Sequence, residues 1–99
     1  VRTNGRMVQG RLLRLSVMQC PEGGEARLGV VTSRRVGCAV ARNRMRRRIR
    51  EIFRRRRASI RPGIWLVVTA KPGAGSAPFD EVLDEWLRLA ERLSIFRGS

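Results

Sequence analysis

Residues 34–61 hold thirteen arginines and a single acid, Glu51. Met45, Ile49, Ile52 and Phe53 recur within that charge at helical spacing and define one narrow apolar stripe. Such a helix is not self-sufficient, because like charges four residues apart repel by about 0.2–0.5 kcal/mol per pair. It must lay its stripe on an apolar surface supplied by the rest of the chain. Everything around the stripe is then cationic. Arg47 and Arg54 stand opposite it, with Asn43, Arg46, Arg50 and Arg57 on one shoulder and Arg44, Arg48 and Arg55 on the other.

Short period-two segments are the natural source of that surface. Leu13, Leu15 and Val17 alternate with Arg14 and Ser16, the pattern of a strand with one buried face, and residues 5–10 suggest a turn and an earlier strand start. Residues 20–25 gather Pro, paired Gly and acids and read as an exposed hairpin loop. A strand over 27–33 follows, with Leu28, Val30 and Thr32 on one face and Gly29, Val31 and Ser33 on the other. The Arg-rich helix is predicted over 39–59, with Pro62-Gly63 ending it. Ile64 to Ala70 is a continuous apolar run of strand length, as expected of a strand covered on both faces. After a loop over 71–76, a last helix is predicted with Ser76 as N-cap and Pro78 in its first turn. Phe79, Val82, Leu83, Trp86, Leu89, Ala90 and Leu93 share its apolar face, and Asp80 and Glu81 suit its dipole. The order of elements predicts an α+β two-layer sandwich in one 99-residue domain, and leaves the strand order open.

The charge restricts the partner. The chain carries 22 basic and 8 acidic residues, or +14, and +12 of that excess lies in residues 34–61. A field of this kind attracts polyanions. A membrane is disfavoured, because no apolar run approaches the ~20 residues needed to span one. Nucleic acid is the expected partner. RNA is favoured over DNA, since no second short helix precedes the basic one as a helix-turn-helix requires, and no zinc-finger or heptad spacing is present. Twenty-one of the basic residues are Arg, which fits bidentate phosphate contacts but equally fits a codon bias running through the whole chain.

Cys20 and Cys38 lack metal-ligand spacing and there is no His, so two free thiols are expected in a reducing, cytoplasmic compartment. The amino terminus shows no apolar core of a secretory signal. Protein-borne phosphodiester hydrolysis would need a base of near-neutral pKa or a carboxylate pair holding metals. The one acidic cluster, Asp80, Glu81, Asp84 and Glu85, is explained by helix-dipole complementarity and solvation.

The run from Gly29-Val30-Val31-Thr32-Ser33-Arg34-Arg35-Val36-Gly37 through Arg42-Asn43-Arg44 to Arg50-Glu51 resembles the signature of the bacterial ribonuclease P protein family. The resemblance extends more loosely to Gly5, Arg11-Leu12-Leu13, Ala70-Lys71-Pro72 and the last helix. It implies a small mixed sheet with a left-handed βαβ crossover through the Arg-rich helix, a fold also seen in a ribosomal protein domain. It implies an accessory subunit that is not itself catalytic, helping a catalytic RNA remove the 5′ leader of precursor tRNA. It implies ribonuclease P RNA and precursor tRNA as partners, no protein partner, and Mg2+ held mainly by the RNA.

By position, Arg42, Asn43, Arg44, Arg46, Arg47 and Arg50 match the family's Arg-Asn-Arg region facing the RNA, and Arg34 and Arg35 match the preceding basic pair. Asn43 can both donate and accept, unlike Arg, although a helix cap or turn residue is the alternative reading. The chain departs from the family in three respects. It starts after most of the usual N-terminal helix, one wall of the leader cleft; its first two strands offer no aromatic stacking platform; and Cys38 stands where Asn is frequent. A structural ribosomal or RNA-chaperone protein, and a basic DNA-binding module, are the competing functional classes.

Overall fold

A computed structural model describes residues 6–20 and 23–96. Four strands, β1 (Arg6–Gln9), β2 (Leu13–Gln19), β3 (Arg27–Thr32) and β4 (Ile64–Ala70), form one sheet in the order β1-β2-β4-β3. β1 with β2 and β2 with β4 are antiparallel, whereas β3 with β4 is parallel, so the sheet is mixed. The helix α1 (Ala39–Arg56) lies in the chain between the two parallel strands, and α2 (Phe79–Arg92) follows β4.

One face of the sheet carries the core. Leu13, Leu15 and Val17 of β2 stand in register with Ala70, Val68 and Leu66 of β4, and all six are buried. Met45, Ile49, Ile52 and Phe53 of α1 close over this face, as their spacing predicts, together with Val82, Trp86, Leu89 and Ala90 of α2 and Leu93 just beyond it. Two layers result. With both helices on the same side, the opposite face of the sheet is left open among the described residues.

Several local expectations are corrected. β2 and β3 do not form a hairpin, because β4 inserts between them; the segment joining them is a crossing connection, and its Pro21 and Glu22 lie outside the described residues, as does Gly5. Turn residues mark where a chain reverses, but not which strand receives it. β4 is buried on one face only: Ile64, Leu66, Val68 and Ala70 are inside, whereas Trp65 is 45% exposed. A central strand of an apolar run normally has helices on both faces, and here both helices share one face. α1 ends at Arg56, and Arg57–Ser59 tighten into a 3-10 turn. The predicted loop after β4 is a 3-10 turn, Pro72–Ser76, which contains Ser76; Pro78 takes the N-cap position of α2 without a side-chain hydrogen bond. Phe79 is a partly exposed member of its predicted face.

Glu85 departs furthest from expectation. It is only 4% exposed, and its Oε2 accepts the backbone N–H groups of Leu12, at 2.7 Å, and Leu13, at 2.6 Å. The carboxylate thus anchors α2 to the β1–β2 turn. Its place in an acidic cluster concealed its position facing the sheet, one helical turn from Val82 and Leu89.

Candidate nucleic-acid interface

The segment leading into α1 is built for close approach. Ser33 caps a 3-10 turn, Arg34–Val36, by accepting the Arg35 N–H at 3.3 Å. Gly37 then takes φ 145°, a region unfavourable to side-chain-bearing residues, and redirects the chain into α1. Val36 is buried against the Pro72–Ser76 turn, where Gly75 passes so near that a Cβ would overlap the Val36 carbonyl oxygen. Arg34 and Arg35 are consequently exposed on a turn whose base is fixed.

Along α1 the arginines divide into two groups. Towards the C-terminus Arg54 and Arg55 pair with Glu51 at 2.8 and 2.7 Å, and Arg57, just beyond the helix, reaches Glu25 at 3.5 Å and lies over the Phe53 ring. Hydrogen bonds from Arg54 and then Arg55 hold the Glu51 carboxyl below the usual carboxylate range. Earlier in the helix, Arg44, Arg47 and Arg50 are exposed and have no hydrogen bond or ion pair among the described residues. Those cations are available. A shallow recess of about 410 Å³ is lined by Asn43, Arg46, Arg47 and Arg50, and another of about 400 Å³ by Val40, Arg44, Arg47 and Arg48.

Asn43 is inside the helix, so the cap reading does not apply; Cys38 holds the N-cap position. The Asn43 Oδ1 accepts from Arg46 Nη1 at 3.1 Å, which leaves its amide nitrogen as the outward donor. Arg42 differs from its neighbours. It is half-buried and falls in line with Ile49 and Phe53, on the sheet side of the helix rather than with the outward row. At Cys38 the backbone amides of Ala41 and Val40 lower the thiol pKa, with Arg44 adding to the effect, as expected where free helix amides face a forming thiolate.

Trp65 is a feature that sequence reasoning missed. In register it sits beside Met18 of β2 and Arg27 of β3 on the open face of the sheet, which also exposes Met7 and Val31. Gly29 next to Val67 leaves space alongside the indole, where a Cβ would come 3.4 Å from Nε1. An aromatic platform therefore exists, on the central strand rather than on the first two. The signal was the indole itself, absorbed into an apolar run read as fully covered.

No three His, Cys, Asp or Glu residues gather to hold a metal among the described residues. Asp84 pairs with Arg88 and Glu81 with Arg11, and Glu85 is committed to backbone. Nor is any helix of the described residues long and apolar enough to cross a membrane.

A two-layer α+β domain that carries a row of unpaired guanidiniums on one helix and an open sheet face with an exposed indole belongs to the class of basic domains shaped for polyanions. A family model described as Ribonuclease P matches residues 1–94. The chain belongs to that family. Among its relatives, the ribonuclease P protein component of Acidothermus cellulolyticus is 41% identical over 97 residues, covering 96% of this chain and 80% of that protein. That of Symbiobacterium thermophilum is 34% identical, covering 98% and 84%. The Thermus scotoductus protein is 37% identical over 94% of this chain, which spans only 54% of that relative's length. The RNase P protein of Staphylococcus aureus superposes with a TM-score of 0.87 at 25% identity, over 94% of this chain and 84% of that one. The RNase P protein of Thermotoga maritima gives 0.80 at 29% identity, over 89% and 85%.

Proposed function

We propose that this chain is the protein subunit of a ribonucleoprotein endonuclease that removes the 5′ leader from precursor tRNA, with the RNA performing the cleavage. The observation that carries the reading is the row of exposed, unpartnered arginines Arg44, Arg47 and Arg50 on α1, in a member of the Ribonuclease P family. Unpaired cations weaken a free helix and become favourable when phosphates release counterions on binding. Arg34, Arg35, Arg42, Asn43, Arg44, Arg46, Arg47 and Arg50 would contact the ribonuclease P RNA. Mg2+ would be held mainly by that RNA; Glu81, Asp84 and Glu85 of α2 already have partners within the chain. The open sheet face would receive the single-stranded leader of the precursor, with Trp65 stacking on a base. Such a subunit works in the cytoplasm, where precursor tRNA is made, and needs neither a membrane nor a protein partner.

The test is cleavage of a precursor tRNA by a bacterial ribonuclease P RNA at low Mg2+, with and without this protein. The protein should raise the rate severalfold, by lowering the repulsion between two polyanions. Unchanged cleavage alongside tight RNA binding would instead favour the ribosomal or chaperone reading.

A further inference from the structure

The two shoulders of α1 are chemically unlike. The recess at Asn43, Arg46, Arg47 and Arg50 is mainly polar, and suits phosphate oxygens. The recess across the helix is lined by Val40, followed by Arg44, Arg47 and Arg48 one and two turns later. Val40 is 70% exposed, the most exposed large apolar side chain among the described residues, in the middle of the most charged region. Nothing in the core uses it. Arg48 is also unlike its neighbours: it donates to the Ala77 carbonyl at 3.1 Å and stands 5.9 Å over the Phe79 ring, so its guanidinium plane is held rather than free.

From this we infer that the Val40 recess binds one unstacked nucleobase, with Arg48 as a fixed wall and Arg44 and Arg47 taking the flanking phosphates. The recess is shallow and open, and its volume of about 400 Å³ suits one small planar group lying on the surface. Its occupant must present an apolar face and negative charge together. A looped-out nucleotide does both within one residue, its ring packing on the isopropyl group and its phosphates reaching the two exposed guanidiniums. An acidic peptide could match the charge, but it would have to alternate apolar and anionic side chains over a single helical turn. The inference rests on the proposed function and adds to it: α1 would read an unpaired base of the RNA on one side and backbone phosphates on the other.

The test follows the Val40 methyl resonances of the full chain by NMR, during titration with pentaadenylate and with a pentamer of abasic ribose phosphates of equal charge. A Trp65→Ala background removes the competing platform on the sheet. Adenine stacking should move the Val40 methyls upfield, and the abasic pentamer should not. In the same background the base-bearing pentamer should bind about tenfold more tightly than the abasic one. Val40→Ser should abolish that difference while leaving the abasic affinity and its salt dependence unchanged; since the side chain is exposed, the fold is expected to survive. Equal methyl shifts from both pentamers would overturn the inference, as would larger shifts from a peptide of alternating Glu and Leu. The outcomes separate cleanly: stimulated cleavage with silent Val40 methyls removes only this inference, whereas a base-dependent shift without stimulation leaves the recess standing and removes the proposed function.

Discussion

Glu85 is the residue on which α2 and the first turn of the sheet depend. A carboxylate that accepts two buried backbone N–H groups makes charge-assisted bonds, each worth about 1.5–3 kcal/mol. Glu85→Ala should cost about 2–5 kcal/mol in urea unfolding, whereas Glu85→Gln, which keeps an acceptor oxygen, should cost clearly less. Equal losses in the two variants would mean that packing, not hydrogen bonding, holds the position. By contrast Glu51, partly exposed and shared between two exposed arginines, Arg54 and Arg55, contributes little to stability however well it is paired. Sequence alone cannot tell these two acids apart, since both lie on amphipathic helices among charges. What separates them is the β1–β2 turn that Glu85 meets after folding.

At the scale of elements, α1 is held by its stripe and works through the remainder of its surface. Phe53 is 2% exposed, so Phe53→Ala should destabilise the domain by about 3–5 kcal/mol in thermal or denaturant unfolding. At a temperature where that variant is still folded, its RNA affinity should be close to wild type. Weakened RNA binding with intact stability would mean that the helix is rotated from the orientation described. The stripe of α1, the alternation of β2 and the apolar face of α2 were legible in the sequence, because each depends on a period that burial enforces locally. The position of β4 between β2 and β3 was not legible, and neither was its single open face. Both are decided by which side of the sheet receives two helices at once, a property that no window of residues contains. The same holds for the site. The arginine row was evident from composition and spacing, but the division between engaged and free guanidiniums depends on where Glu51, Glu25 and Ala77 arrive in space.

For the whole molecule, the architecture separates two tasks. The sheet and α2 bury the core with nearly balanced charge, while residues 34–61 carry +12 of the total +14. Concentrating like charge costs stability in the free protein, and is offset only when an extended polyanion lies along it. Function therefore depends on phosphates meeting the free arginines of α1. The direct measurement is the salt dependence of affinity for a ribonuclease P RNA, comparing the unsubstituted protein with an Arg44→Ala, Arg47→Ala, Arg50→Ala triple variant. If all three arginines meet phosphates, the slope of log affinity against log salt should flatten by about 0.7–0.9 for each phosphate no longer neutralised, with unfolding stability unchanged or slightly raised. An unaltered slope in a folded triple variant would contradict a phosphate-binding role for this helix and place the RNA elsewhere on the domain.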